Sequence, residues 1–193
     1  MKHILLAAAL ATGATAAFAA PAKFALDASH SQVVFSYDHL GFSTTTGMFS
    51  GFEGEIMFDE ANPANSSVSV SMPVMSMFTG WEAREQHFMS GDFFGAAEGD
   101  MITFTSTGIE VTGDNTALIT GDLTMNDVTK SVVLETTLNA LAPYPFGPNQ
   151  GKPTLGLDAS TTLLRSDFGL GAFAPAVSDE VAVQISIEAL AAE

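Results

Sequence analysis

The histidines are the side chains of this chain best suited to acid–base or metal chemistry. His3 lies in a leader segment, which leaves His30, His39 and His87, and none of these has the H-x-H or H-E-x-x-H spacing of a metal site. The 193 residues contain no cysteine, which excludes thiol nucleophiles, thiolate zinc sites and disulfides. No G-x-S-x-G elbow or phosphate-binding loop occurs. We therefore predict a protein that is not an enzyme, with no metal site and no cofactor.

Two basic side chains stand where the apolar face of a strand ends. Side chains at i and i+2 lie on the same side of a strand. His39 continues the face of Phe35 and Tyr37, and Arg165 continues an apolar face that runs through residues 155–163. Basic residues are rare in this chain, so this placement predicts a polar clamp at the mouth of an apolar cavity, where it would hold a ligand head group.

A structural explanation of Arg165 is equally open from the sequence. A buried or half-buried guanidinium must be paired. Asp167 and Asp92 are the carboxylates that we expect to form a salt bridge with Arg165 if no ligand does so.

The elements that must position these side chains are strands. From Lys23 onward the apolar residues recur mainly with a period of two, in about eight runs. Turn signals separate the runs at Asn62-Pro63, Gly113 to Asn115, Asn126-Asp127 and Pro143 to Pro153. Without alternating helices, this pattern predicts an all-β chain folded as an antiparallel barrel or sandwich.

One segment, between Phe78 and Phe94, departs from the strand pattern. It contains good helix formers, and Trp81, Arg84, Glu85 and Phe88 would share one helical face. We predict a short helix that lies across one mouth of the barrel.

Composition limits the classes of function. Six basic residues stand against 22 acidic ones, for a net charge of −16, which argues against binding to a nucleic-acid backbone. Hydrophobic residues make up 47% of the chain, which argues against disorder. The length suits one domain with a substantial core.

The first residues have the pattern of a cleaved signal peptide. Lys2 precedes the apolar run Ile4 to Leu10, and Ala17 and Ala19 supply small residues before a cleavage point. The apolar run is shorter than the roughly 20 residues of a membrane span, and no later stretch qualifies. We predict a signal peptide over residues 1–19, a single domain over 20–193 and a periplasmic location.

Several short motifs occur in an order that identifies a family. The chain resembles the YceI-like family over residues 23–190. The segments that carry the resemblance are Leu26-Asp27-Ala28-Ser29-His30-Ser31, His39-Leu40-Gly41, Phe93-Phe94, Ile102-Thr103-Phe104-Thr105-Ser106-Thr107, Thr120-Gly121-Asp122-Leu123-Thr124, Arg165-Ser166-Asp167-Phe168-Gly169-Leu170-Gly171 and Asp179-Glu180-Val181.

This resemblance implies an extended lipocalin-like antiparallel β-barrel with a short helix near one mouth. It implies an exported carrier whose apolar tunnel holds a polyisoprenoid, an isoprenoid quinone or a fatty amide, without established catalytic activity. The family's Arg-acid-x-His stretch is matched by Arg84-Glu85-Gln86-His87. The residues that we expect to bind the lipid are His39, Arg84, His87, Arg165, Phe35, Tyr37, Trp81, Phe88 and Asp167.

Two other functions stay open from the sequence. One is a structural or interaction domain whose barrel is filled by its own side chains. The other is an enzyme that acts on a lipid head group, with His39 or His87 as general base. Pairing of two chains through an open barrel edge, to give a homodimer, is a further expectation.

Overall fold

Residues 20–192 are described by a computed structural model, and the predicted signal peptide over residues 1–19 lies outside them. The described chain forms ten strands and one α-helix. In chain order these elements are β1 (Ala22–Leu26), β2 (Gln32–His39), β3 (Ser43–Phe49), β4 (Glu53–Phe58), β5 (Ser67–Pro73), α1 (Glu82–Met89), β6 (Met101–Gly113), β7 (Thr116–Met125), β8 (Val128–Pro143), β9 (Pro153–Leu164) and β10 (Glu180–Ala191).

The strands close into an antiparallel barrel with eight strand positions. The sheet runs in the order β1-β4-β5-β6-β7-β8-β9-β10-β2-β3, and a further pairing between β1 and β10 closes it. β1 and β2 both pair with β10, at residues 189–191 and 182–186 respectively, so they share one position in the barrel. β4 pairs with β1, and β3 pairs with β2, so these two strands share the next position. The predicted lipocalin-like barrel with about eight strands is confirmed.

The two ends of the barrel are built differently. We call one end the covered end, where the connections 40–42, 74–100, 126–127 and 165–179 lie. We call the opposite end the far end, where the connections 59–66, 114–115 and 144–152 lie. The backbone N–H of Ala192 donates to the carbonyl of Lys23 at the far end, beside the closing pair β1 and β10.

The hydrophobic core divides into two clusters along the barrel axis. One cluster, towards the covered end, is centred on residues of β2 and includes Phe35, Tyr37 and Phe49. The other, at the far end, contains Leu155 and Ala189, which are both fully buried. These two clusters form the interior that the apolar face of the alternating strands covers, as the alternation of apolar and polar residues in the sequence predicts.

The turn chemistry read from the sequence matches the strand connections. Asn126 and Asp127 both have positive φ, and they join Met125 to its partner Val128. This two-residue connection with two left-handed residues is the type I′ hairpin geometry that Asn and Asp tolerate.

The short helix belongs to the covered end, as predicted. α1 follows Trp81, and the carboxylate of Glu85 accepts hydrogen bonds from the backbone and hydroxyl of Thr79, just before the helix. Within residues 20–192, no helix is both long and apolar enough to cross a bilayer.

Candidate functional site

The barrel encloses an apolar cavity of about 200 Å³. Every strand from β2 to β10 contributes inward side chains to its lining. Leu157, Ala159, Thr161 and Leu163 of β9 alternate along it, with their side chains on one face of the strand. An eight-stranded barrel is wide enough to hold one small ligand if its own side chains do not fill it.

Aromatic side chains close the cavity at the covered end. Phe88 of α1 and Phe93, in the loop that follows, both line the cavity. The ring of Phe88 lies edge-on to Tyr37 at 6.1 Å between centroids, and 5.1 Å from the ring of Phe93. Phe93 in turn lies 5.9 Å from Phe173, whose side chain is exposed. A continuous row of four rings therefore leads from the cavity to the surface.

The far end of the barrel is packed closed. Phe24 and Ile56 are buried there together with Leu155 and Ala189, and neighbouring apolar residues such as Leu138 pack against them. Packed strand residues, two of which have no exposed surface at all, therefore enclose the cavity at the far end. At the covered end, loops rather than strands enclose it.

Arg165 is the basic residue that lines the cavity. Its guanidinium is buried and donates to four backbone carbonyls: Nε to Ser178 at 2.9 Å, Nη1 to Leu170 and Ala172, and Nη2 to Val177 at 3.0 Å. Four of the five N–H groups of the side chain are thus used. Arg165 therefore holds the connection 165–179 over the end of the cavity.

The charge of Arg165 is balanced without a direct salt bridge. Burial lowers the pKa of Arg165, and Asp179 and Tyr37 act against that shift. Hydrogen bonds from Ser166 to the Asp179 carboxylate lower the pKa of Asp179. The expected salt bridge of Arg165 to Asp167 or Asp92 is corrected, because backbone carbonyls occupy the guanidinium instead.

The remaining polar groups of the cavity are few and small. Thr136 is buried in the lining, and its hydroxyl is 3.4 Å from the carbonyl of Leu134 on its own strand. Thr103, Thr161 and Tyr37 also line the cavity. Asp158 of β9 and Arg165 are the charged residues of the lining, and Asp158 is itself exposed, with its carboxylate accepting a hydrogen bond from Asn139. Such a lining favours an apolar chain over a charged ligand.

The structure brings four of the predicted site residues together. Phe35, Tyr37, Phe88 and Arg165 all line the cavity. Their role in binding a ligand stays a prediction.

Two of the predicted residues on α1 and its N-terminal end lie outside the cavity lining. Trp81 is 62% exposed, and the guanidinium of Arg84 lies 5.6 Å from the centre of its ring. Arg84 also donates to the carbonyl of Thr79. The predicted shared face of the helix is therefore split, because only Phe88 of that face turns inward.

The predicted residues His39, His87 and Asp167 are exposed and lie outside the cavity lining. His39 is exposed although it continues the spacing of Phe35 and Tyr37, because β2 ends at that residue and the next residue, Leu40, has positive φ. His87 Nε2 forms a hydrogen bond with Asp92 at 3.1 Å, and its ring packs against Phe93 and Phe173.

Other residues of the lining have a weaker sequence signal. Phe49 and Phe52 lie in a glycine-rich stretch without a clear period of two, and Leu170 lies in a loop. Only the density of phenylalanine between residues 42 and 58 points to them.

A second polar cluster lies outside the cavity. His30 Nδ1 is 2.9 Å from Asp27 Oδ2 and 3.9 Å from Glu188 Oε2. Each of the three side chains has one potential metal-coordinating atom, and these atoms lie within 4.8 Å of one another. Ser29 donates to Asp27 from both its backbone and its hydroxyl, so the group forms a compact turn between β1 and β2. The hydrogen bond with Asp27 raises the pKa of His30, and the bonds from Ser29 and His30 lower the pKa of Asp27.

Comparisons with known proteins agree with this architecture. The family described as YceI-like domain matches residues 24–189. The protein YceI of Escherichia coli is 37% identical over 191 residues, which cover 97% of each chain.

Solved structures show the same fold. The YceI protein of Campylobacter jejuni has a TM-score of 0.71 and 29% identity, with 81% of this chain and 90% of that chain covered. A polyisoprenoid-binding domain from Saccharophagus degradans has a TM-score of 0.67, with 89% of this chain and 99% of that chain covered. At 16% identity, this second likeness concerns the fold alone.

Proposed function

The chain belongs to the YceI-like family, and we propose that it is a binding protein that holds a long-chain amphiphile inside its barrel. The observation that carries this proposal is the apolar cavity between the covered end and the packed far end. A barrel with a filled core would have no such space, so the cavity favours the binding function over a purely structural one.

An apolar tail is the part of the ligand that this lining suits. Burial of each CH₂ group contributes roughly 0.8 kcal/mol, so a tail of about ten carbons overcomes much of the entropic cost of binding. Met72, Met77 and Met125 line the cavity, and the flexible thioether of methionine adapts to irregular chains. The tail is therefore recognised by its apolar surface rather than by its exact branching.

The head group is proposed to be uncharged and to carry an oxygen acceptor. At the covered end the cavity offers the Tyr37 side chain and the one N–H of Arg165 that its four carbonyl bonds leave. A hydroxyl, carbonyl or amide oxygen matches these groups, and it is the chemistry that polyprenols, isoprenoid quinones and fatty amides share. The neighbour of the same fold from Saccharophagus degradans is a polyisoprenoid-binding domain, so this barrel fold is compatible with such a ligand.

Export and transport complete the proposal. The signal-peptide pattern of residues 1–19 supports a periplasmic location, where a carrier would move a lipid between membranes or sequester it. We propose binding without catalysis, because the two histidine–carboxylate pairs, His87–Asp92 and His30–Asp27, both lie outside the cavity lining.

Native mass spectrometry tests the proposal directly. The protein is incubated with a polyprenol, an isoprenoid quinone or a fatty amide, and we expect one bound molecule per chain for at least one of these ligands. Ala159→Phe places a ring in the cavity and should weaken retention at least about tenfold. Ser160→Phe is the matched control, because Ser160 is the exposed neighbour on β9, and it should retain the ligand.

The outcomes are distinct. Equal retention by the Ala159→Phe and Ser160→Phe variants would place the ligand outside the barrel. If the wild type takes up none of the three ligands, the filled-barrel function is favoured instead.

A further inference from the structure

The covered end carries most of the exposed large apolar side chains of the described chain. Eleven such residues are exposed within residues 20–192, and eight of them lie in the connections of the covered end or at the strand residue next to one. Phe42 is 88% exposed, Trp81 is 62% exposed and Phe173 is 56% exposed. Isolated exposed apolar residues are common, but their concentration at one end marks an interaction surface.

Four of these residues, Leu40, Phe42, Phe173 and Trp81, are connected to one another through backbone hydrogen bonds and through α1. Leu40 donates its backbone N–H to Ala176, and Val177 donates to the carbonyl of Phe173, so the turn with Leu40 and Phe42 lies beside the connection with Phe173. The ring of Phe173 packs against His87 of α1 at 6.1 Å. Trp81 lies at the other end of that helix, about 9 Å away along its axis.

The backbone conformation at this end is unusual for apolar residues. Leu40 has φ of 60° and Phe173 has φ of 64°. Large side chains adopt this left-handed region rarely and at a cost, whereas Asn or Gly would adopt it readily. Since neither side chain is buried, folding alone does not account for a leucine and a phenylalanine at these two positions.

The same residues adjoin the aromatic closure of the cavity. Phe173 lies 5.9 Å from Phe93, and Phe93 lines the cavity. An apolar surface in contact with Phe173 would therefore be separated from the cavity lining only by the ring of Phe173 itself. The far end offers no comparable route, because Leu155 and Ala189 are completely buried there.

We propose that the covered end, through Phe42, Trp81, Phe173 and Leu40, inserts into the surface of a lipid bilayer with uncharged or zwitterionic head groups, where the bound lipid enters and leaves. Phenylalanine and tryptophan are the side chains that suit the interface between head groups and acyl chains. This inference rests on the proposed binding function and adds the place and the partner of lipid exchange.

The charge of the protein determines the kind of bilayer. The net charge of the chain is −16, and Asp38, Glu82, Asp92 and Asp167 are exposed at the covered end. These carboxylates are repelled by a bilayer rich in anionic lipid, and the repulsion is screened by salt. A zwitterionic surface is therefore the expected partner.

The single tryptophan of the chain supplies the measurement. Trp81 is the only tryptophan in the sequence, so a blue shift of its fluorescence reports directly on the covered end. We expect a blue shift and co-sedimentation with phosphatidylcholine vesicles, and weaker binding at low salt when the vesicles contain phosphatidylglycerol.

Matched variants test the surface. The double variant Phe42→Ser with Phe173→Asn should bind phosphatidylcholine vesicles at least about tenfold more weakly, because two exposed rings are lost. Asn is chosen at position 173 because it tolerates positive φ. Phe146→Ser is the control: Phe146 is 69% exposed at the far end, and its replacement should leave vesicle binding unchanged.

Each result decides the inference. An absence of binding by the wild type, or an equal loss in the Phe146→Ser variant, would overturn it. So would a wild-type dimer in sedimentation that the double variant abolishes, because the surface would then bind a second copy of this chain. The Ala159→Phe variant separates the two proposals, since it should bind vesicles normally while its retention of the ligand in the cavity is weakened at least about tenfold.

Discussion

The ring of Phe35 on β2 lies over Gly47 of β3, in the space that a side chain at position 47 would occupy. A Cβ atom at Gly47 would overlap the outer carbons of that ring. Phe104 lies over Gly121 on β7 in the same way. Gly47 is the register partner of Phe35, whereas Gly121 pairs with Ser106, two residues along the strand from Phe104. Two large rings are thus accommodated because a glycine of the neighbouring strand lies beneath each of them, and both rings line the cavity.

Gly47→Ala should destabilise the fold and narrow the cavity, because the added methyl group pushes the ring of Phe35 into it. We expect a loss of about 1–3 kcal/mol in the free energy of unfolding, as is typical of overpacked sites. Urea denaturation measures this loss, and lipid retention is followed in parallel. Gly108→Ala is the control, because a Cβ there meets no atom within 4 Å and should leave the stability nearly unchanged. Equal stability of the wild type and the Gly47→Ala variant would show that the ring can move at no cost.

Arg165→Met should loosen the connection 165–179. The substitution removes four hydrogen bonds to backbone carbonyls and keeps a similar side-chain length. Because unsatisfied buried acceptors cost about 1–3 kcal/mol each, we expect at least about 2 kcal/mol of destabilisation. Hydrogen exchange of the amides of residues 170–178 should accelerate more than that of β8.

Arg165→Lys separates charge from geometry. A lysine keeps the positive charge but cannot reach four carbonyls with one compact ammonium group. We therefore expect Lys to restore only a minor part of the lost protection in residues 170–178. Full protection in the lysine variant would mean that the charge alone holds the connection.

Thr136→Val should strengthen the binding of a purely apolar tail. Thr136 is buried in the cavity lining, with a hydroxyl whose hydrogen bond to Leu134 is long at 3.4 Å. Replacing it with a methyl group of the same shape makes the lining more apolar, and we expect about a fivefold gain in affinity, equivalent to about 1 kcal/mol. Thr162→Val, on the exposed face of β9, should change nothing in the same titration. Unchanged affinity in the Thr136→Val variant would place the tail away from β8.

The pair formed by Asp27 and His30 should give the stability a dependence on pH. The folded pKa of His30 is raised above its ordinary value of 6.5, so its contribution is complete below pH 6.5 and is lost as the pH rises through the raised pKa. The folded pKa of Asp27 is lowered below 3.8, so its contribution is complete above pH 3.8 and is lost as the pH falls through the lowered pKa.

Urea denaturation of the wild type and of His30→Asn across this range measures the effect. We expect the stability difference between them to be greatest between pH 3.8 and 6.5 and to shrink at alkaline pH. His39→Asn, at an exposed histidine at the end of β2, serves as the control. A difference that stays constant with pH would assign His30 a role independent of its charge.

Periodicity predicted most of the barrel but missed two strands. The apolar runs on β9 and β10 alternate with polar residues, since one face of each strand is at least partly buried along most of its length. β3, with the sequence STTTGMF, has three threonines and a glycine, so its buried residues do not form an alternating apolar run. β1 is only five residues long, with Phe24 as its one buried residue. Both are recognised only from their pairing with other strands.

The residues of the candidate site were predictable where side chains alternate between inward and outward along a strand, and not where they depend on the conformation of loops. Phe35 and Tyr37 line the cavity because they alternate within β2. His39 follows the same spacing, but the strand ends at that residue and the side chain is exposed. The partners of Arg165 are carbonyls of residues 170–178, and no pattern of side chains in a sequence reveals which backbone atoms a loop will present.

The hydrogen bond between Ala192 and Lys23 brings the first and last described parts of the chain together at the far end. A protein attached to a solid support through either part would therefore stand with Phe42 and Phe173 directed away from that support. Such an oriented layer offers every molecule the same access to lipid in solution. Under the proposed binding function, such a layer would serve as a receptor for surface-based detection of amphiphiles.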